Sequence, residues 1–364
     1  MRPRFPQRAS HDWQRRHPMK TLKPLLAIAT AALAPGLAHA QSNVTLYGIV
    51  DASIEYIKSG DNKATRLQSG GLTQSRWGLR GTEDLGNGNQ ALFVLEGRFN
   101  VDDGTQVGGQ LFGGRSVVGL SGKWGTLTAG REYSPIYDLK IRSNAFNVAP
   151  YSTTQVLMTA GASRTDNAVR YDSPVWKGLR AGLFYSLGAE STAQGKMGRH
   201  TGVAGQYQQG PLYLGLAWNR VDVLNAGVHA TNEWMAGGSY ALGRAKLYLS
   251  YWQFRTDNGA APDARVSLWT LGASFTVTPN GRLLGSLGLL DASRPAAASG
   301  NDARQITLGY EYDMSKRTTL YAQYSHVTNK AAANYQLSRF ANSGVGTGNV
   351  SDPTAFQVGM RHSF

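Results

Sequence analysis

From Asn43 to Ile57 (NVTLYGIVDASIEYI) apolar and polar side chains alternate along the chain. Leu46, Gly48, Val50, Ala52, Ile54 and Tyr56 fall on one face, and Tyr47, Ile49, Asp51, Ser53 and Glu55 on the other. Alternation of period two predicts a β-strand with one apolar and one wet face. Strands of soluble proteins are mostly about five or six residues long, whereas strands that cross a bilayer need about nine to eleven. The length of this segment points to a membrane.

The same rhythm continues. In Ser75–Gly81, Trp77 and Leu79 oppose Arg76 and Arg80, and a tight turn follows at Leu85-Gly86-Asn87-Gly88. Ala91–Phe99 sets Phe93, Leu95 and Phe99 against Val94, Glu96 and Arg98. In Leu111–Leu120, Phe112, Val118 and Leu120 share a face and Arg115 takes the other. Leu127–Arg131 and Ala168–Asp172 are two further strand segments; in the second, Val169 and Tyr171 oppose Arg170 and Asp172. Regular candidate strands then run over Gly178–Leu187, Thr201–Gln209, Leu212–Asp222, Thr231–Leu242, Arg244–Thr256, Arg265–Val277, Arg282–Ala292, Ala303–Asp313, Thr318–Thr328 and Thr354–Phe364. Short turns such as Gly210-Pro211 and Leu242-Gly243 alternate with longer polar loops such as Gly188–Arg199 and Lys330–Pro353.

This pattern predicts an all-β fold, a transmembrane antiparallel β-barrel of about 16 strands. Aromatic residues recur near strand ends (Tyr56, Trp77, Phe99, Trp218, Trp234, Tyr240, Phe275, Tyr312, Tyr324), as interfacial girdles require. The last strand puts Phe356, Val358, Met360, His362 and Phe364 outward, and Phe364 is expected to be the signal read during barrel assembly. Between strands, Arg131–Arg170 is the longest interval without a strand repeat. A loop that long in a compact chain is usually functional. We expect residues of about 134–166 to fold inside the barrel and narrow a pore.

Composition changes the picture at the N-terminus. The chain has 364 residues, formal net charge +14 and no cysteine. Met19–Lys23 is a basic segment, Leu25–Leu37 is apolar, and Ala38-His39-Ala40 is a cleavage signal, so residues 19–40 read as an export signal peptide. Residues 1–18 do not fit that signal and read as a start assigned too early. The barrel is then 41–364, with 30 basic against 22 acidic side chains, a net +8. That excess suits an anionic partner, and export argues against nucleic acid. Because no later segment has the apolar length of a spanning helix, a closed barrel is the remaining way into lipid.

Together these residues resemble a Gram-negative general porin of the β-proteobacterial and neisserial branch. VTLYGIVDASIEY, SRWGLRGTEDLGNGNQALFVLEGRF, GGRSVVGLSGKWGTLTAGREYSPIYD, NAVRYDSP and the terminal strand carry the resemblance. It implies a 16-stranded homotrimer whose third external loop folds into each pore, and passive diffusion of small anionic or neutral hydrophilic solutes. It also implies outer-membrane lipid, lipopolysaccharide and the barrel-assembly machinery as partners. The wall arginines that match the family's motifs are Arg76, Arg115, Arg131 and Arg170. Parity directs Arg76, Arg115 and Arg170 inward. Arg131 shares parity with the outward Leu127 and Ala129, so only a bulge would re-aim it.

Between Pro135 and Ala162 the one carboxylate is Asp138, beside Lys140 and Arg142. We therefore expect a constriction that is positive overall, with Asp138 as its main counterweight and Arg80, Glu96 and Arg98 as secondary lumen charges. Wall charges act strongly where a pore is narrower than the roughly 8 Å Debye length, and inward arginines there favour anions. A solvated lumen residue is the plainer account of any one of them.

Other chemistry finds little support. Gly86–Ala91 matches G-x-G-x-x-A, but a strand follows where a dinucleotide site needs a helix. His200, His229, His326 and His362 have no zinc-ligand spacing, so no metal and no cofactor are expected. An outer-membrane barrel hydrolase of lipase or protease type is the alternative function, and no segment singles out its nucleophile and base. A soluble exported adhesin would have shorter strands. Outward Gly48, Ala52 and Gly97 are candidates for close protomer packing.

Overall fold

Strands with one apolar face present a long edge of unpaired backbone that lipid cannot satisfy, and the structure removes the edge by closing the sheet. The computed structural model describes residues 43–158, 161, 163–188, 197–225, 228–259, 263–292, 300–337 and 351–364. The expected start extension, the signal peptide and the new N-terminus at Gln41 lie outside the described residues, as do parts of the loops at 188–199 and 330–353.

The strands are β1 (Asn43–Ser59), β2 (Asn62–Ser69), β3 (Arg76–Gly86), β4 (Asn89–Arg98), β5 (Arg115–Gly122), β6 (Gly125–Tyr133), β7 (Arg164–Asp172), β8 (Leu179–Ser186) and β9 (His200–Gln209). They continue as β10 (Leu212–Asn225), β11 (Val228–Leu242), β12 (Ala245–Asp257), β13 (Arg265–Thr278), β14 (Gly281–Asp291), β15 (Ala303–Asp313), β16 (Thr318–Asn329) and β17 (Thr354–Ser363). From β3 onward each pairs antiparallel with its successor, and β17 returns to β1 from Ile49↔Ser363 to Lys58↔Thr354.

Seventeen strands make sixteen barrel positions. The first half of β1 pairs with β3 (Asn43↔Thr82 to Ile49↔Arg76) and its second half with β2 (Ala52↔Ser69 to Ser59↔Asn62). β2 and β3 are therefore two pieces of one position, interrupted at Gly70–Ser75. The alternation read at Ser75–Gly81 is the lower piece. Asn62–Ser69, with Lys63 and Arg66 among few apolar residues, carries too weak a pattern to announce the upper one.

One rim carries short turns. At the β3–β4 hairpin Asn87 and Gly88 have φ of 54° and 76°, the left-handed backbone that such turns need. That hairpin is the place of the G-x-G-x-x-A match. The other rim carries the longer connections, with an exception at 60–61.

The barrel is inverted relative to a soluble protein. Outward Leu46, Ile54 and Leu216 are 59, 57 and 57 % exposed, whereas inward Asp51, Glu55 and Gln357 are fully buried. One group breaks the expected wet interior. Met235, Trp252, Leu268, Leu290 and Val327 have inward parity, are apolar and are buried. They pack with Ile136, Leu139, Val156, Leu157 and Met158 of the long loop after β6, which makes an apolar core inside the barrel.

Candidate functional site

The loop after β6 is the segment expected to narrow the lumen, and it contains local structure. Helix α1 (Pro135–Arg142) starts with proline at its first position, where no amide is needed, and ends as Ser143 N–H donates to the Leu139 carbonyl at 2.9 Å. A short turn, α2 (Thr153–Val156), is capped by Ser152 Oγ, which accepts from Gln155 N–H at 3.3 Å. The loop root closes where Ser134 N–H donates to the Ser163 carbonyl at 3.0 Å.

From that root the loop runs along the wall. α1 lies over β8 to β11, and α2 over β14 and β15. Inward glycines make the room. A Cβ at Gly215, Gly237, Gly272, Gly288 or Gly309 would strike Leu139, Ser143, Ala145, Leu157 and Phe146 respectively, at 2.7 Å for Gly237 and 3.1 Å for Gly272. At the far side Tyr151 is buried, its hydroxyl donating to Glu55, while Gln305 Nε2 and Thr307 Oγ1 donate to its carbonyl at 2.9 Å each. Burial, and then the Glu55 carboxylate, raise the Tyr151 phenol well above its ordinary value, so it stays a donor. Glu55 is held in turn by Arg66 at 2.6 Å.

The loop thus covers one side of the lumen and leaves β3 to β7 uncovered, and there the arginines gather. Arg76 donates to Thr73 Oγ1 at 3.0 Å and to the Gln74 carbonyl at 3.2 Å, and lies 3.6 Å from Glu96. Arg98 donates to Gln74 Oε1 at 2.6 Å and to the Tyr133 hydroxyl, 3.7 Å from Glu96. Arg115 grips Glu132 at 2.5 Å. Arg170 bridges Asp138 at 2.5 Å and Asp172 at 2.9 Å and donates to the Tyr133 carbonyl at 3.1 Å, which ties α1 to the wall. Arg164 stacks over the Tyr133 ring, and Tyr133 stacks on Tyr137 with centroids 4.2 Å apart. Burial, and then the neighbouring Tyr133, raise the Tyr137 phenol above its usual value.

The expected residues therefore separate. Arg76, Arg115, Arg170, Asp138, Glu96 and Arg98 belong to one connected network beside the loop root. Arg115 is the open one, its side chain 31 % exposed against 17 % for Arg76 and 8 % for Arg170. Arg80 sits over the Tyr47 ring, midway along β3 and one step of the alternation beyond Gly78. Arg131 keeps the parity of Leu127 and Ala129, with Ser116 opposite it. A bulge does occur there, between Gly130 and Glu132, but Arg131 Nε donates to the Gly113 carbonyl at 3.0 Å and its guanidinium pairs with Asp166 at 2.5 Å. The residue that reaches Arg115 is Glu132, which the alternation through Thr128 itself directs inward. Asp138 is accordingly one of four carboxylates, with Glu96, Glu132 and Asp172, facing Arg76, Arg98, Arg115, Arg164, Arg170 and, 3.4 Å from Asp172, Arg180. The charge on this wall is a web of pairs with arginine in excess, closer to balance than the loop's composition implied. Glu132, Asp172 and Arg164 therefore belong to the site beside the expected residues.

The outward glycines prove to be packed within the chain. Gly48 lies under the Phe364 ring and exchanges 3.0 Å backbone hydrogen bonds with Phe364, and Gly97 lies under the Leu111 carbonyl and Trp77. Ala52 lines a shallow outer depression with Ile54, Leu67, Leu320 and Met360. His200, His326 and His362 each hydrogen-bond a threonine hydroxyl.

A closed barrel with an apolar outside, a charged inside and a loop folded into its lumen is an outer-membrane channel. The family model for Gram-negative porins matches residues 27–332, and the chain belongs to that family. It is 37 % identical to outer membrane porin protein 32 of Delftia acidovorans, across 94 % of this chain and 99 % of that one. It is 31 % identical to an outer membrane porin protein of Bordetella pertussis, across 94 % of this chain and 100 % of that one. The anion-selective porin from Comamonas acidovorans superposes with a TM-score of 0.79 at 32 % identity, covering 89 % of this chain and all of that one. The protein is a porin of the Gram-negative outer membrane, and its family consists of channels rather than enzymes.

Proposed function

We propose that this porin passes small hydrophilic solutes by passive diffusion and favours anions at its constriction, with Arg76, Arg115 and Arg170 on the wall and Asp138 on the loop. The carrying observation is the arginine wall: six guanidinium groups against four carboxylates, with Arg115 the most open of the three named wall arginines. In a narrow, partly desolvated passage one unbalanced charge is worth about 4 kcal/mol at 4 Å for an effective dielectric near 20, against about 1 in bulk water. A passing anion gains from the net excess of arginine, Arg115 included though it is paired with Glu132, what a cation loses. Arg170, paired twice, holds the loop in place. Arg131 acts at the rim, where it braces the base of the loop through Asp166.

The similarity to an anion-selective porin supports the same preference here. We further infer that the chain works as a homotrimer in contact with outer-membrane lipid and lipopolysaccharide, that residues 19–40 direct its export, and that Phe364 is read by the barrel-assembly machinery. The experiment is a reversal-potential measurement on the purified pore in a planar bilayer under a KCl gradient. An anion-preferring potential is expected. A cation-preferring one overturns the reading.

A further inference from the structure

The interruption between β2 and β3 is built around one buried carboxylate. Asp51 has no exposed surface. Its Oδ1 accepts from Gly71 N–H at 3.0 Å and from the Tyr321 hydroxyl at 2.6 Å, and its Oδ2 from Leu72 N–H at 2.9 Å and Thr73 N–H at 2.8 Å. Its backbone is held too: Asp51 N–H donates to Ser75 Oγ at 3.0 Å, Ser75 Oγ–H returns to the Asp51 carbonyl at 3.1 Å, and Gly70 N–H reaches the same carbonyl at 2.7 Å. Residues 70–75 (GGLTQS) are thereby folded into the lumen in place of a continuous strand. They pack so closely that a Cβ at Gly71 would lie 2.2 Å from the Tyr321 hydroxyl.

This inward turn carries the partners of two wall arginines. Thr73 Oγ1 and the Gln74 carbonyl accept from Arg76, and Gln74 Oε1 accepts from Arg98. Both guanidinium groups also stand just beyond hydrogen-bond contact with Glu96, at 3.6 and 3.7 Å. We propose that Asp51 is a positioning residue for ion selection: it pins residues 70–75 as a second lip of the pore, and through Thr73 and Gln74 it keeps Arg76 and Arg98 from collapsing onto Glu96. It touches no solute. Glu96, shared between the two at 3.6 and 3.7 Å, compensates each arginine only in part, and direct contact would offset more of the charge, so a released turn makes the wall less positive.

Charge and position are separable because they act with opposite signs. Asp51→Asn removes a buried negative charge, which alone raises anion preference; loss of the pin lowers it. Ser75→Ala and Tyr321→Phe loosen the same turn and change no charge. Because the idea rests on the anion preference proposed above, each variant is compared with the parent pore, whose own reversal potential tests that preference separately. Folded pores are inserted in planar bilayers and read under a KCl gradient.

All three variants are expected to lower the anion-to-cation permeability ratio by roughly twofold, and to add open-channel noise from a mobile lip. If Asp51→Asn fails to fold, Ser75→Ala and Tyr321→Phe carry the test. Parental ratio and noise in both neutral variants overturn the proposal, and so does a raised ratio in Asp51→Asn. Lower thermal stability with parental selectivity would reduce Asp51 to a structural residue and also overturn it.

Discussion

The two halves of the lumen use the same strand parity for opposite purposes. On β3 to β7 the inward positions are long and ionised, Arg76, Glu96, Arg98, Arg115, Glu132 and Arg170, and they pair with one another beside the lumen, with Arg115 and Arg76 the more open. On β10 to β15 the equivalent positions are Gly215, Gly237, Gly272, Gly288 and Gly309, with Met235, Trp252 and Leu268 above them, and they face a loop. An inward position carries no fixed chemistry. What stands opposite decides whether it must be charged, small or apolar, because a buried charge without a partner is costly and a void beside a loop loses packing.

Substitutions on the two walls should therefore fail in different ways. The largest effect is expected from Arg115→Glu, which reverses the most open of the proposed wall charges and places it beside Glu132. The reversal potential under a KCl gradient should fall to zero or change sign, while conductance stays open. Unchanged selectivity would remove the arginine wall from ion discrimination.

Arg170→Ala should act on stability, because it leaves Asp138 and Asp172 without their buried partner. Asp172 keeps Arg180 and Asp138 is 28 % exposed, so a loss of about 1–3 kcal/mol is expected, read as a lower temperature for barrel unfolding in detergent. On the loop wall, Gly237→Val drives a branched side chain into Ser143. Overpacking of about 1–3 kcal/mol should lift the loop toward the arginines and lower single-channel conductance, with ion preference kept.

Tyr151→Phe removes a hydrogen bond to a carboxylate, worth about 1.5–3 kcal/mol at most, and should loosen the far end of the loop, seen as slower recovery from voltage closure or added current noise. Arg131→Ala is the smallest. Its partner Asp166 is 57 % exposed, so a change within about 1 kcal/mol and a parental reversal potential are expected. A large selectivity shift there would move Arg131 into the constriction and blur the distinction between the walls.

Much of this was legible in order along the chain. The strands from Leu179 to Ser363 lie within a few residues of their alternating segments, and Ala303–Asp313 coincides, because lipid on one side and water or loop on the other impose period two at almost every position. The inward direction of Arg76, Arg115 and Arg170 followed from the same rule. The inward direction of Glu132 follows from the same alternation through Thr128. β2 was hidden by its polar sequence, and α1 by its length of eight residues, within which the apolar spacing is too short to declare a helix.

By itself the sequence determined the barrel: alternation sets which face each residue takes, strand length sets that the sheet crosses a membrane, and the turns set the order of strands. Only the tertiary structure decided which inward residues meet water and which meet the loop. It also decided that Asp138 shares its task with Glu96, Glu132 and Asp172, and that Asp51 holds a turn in the lumen. Parity is a local property of the backbone, whereas pairing depends on side chains brought together from opposite sides of a closed sheet. Tyr321 and Asp51 stand 270 positions apart in the chain and 2.6 Å apart in the fold.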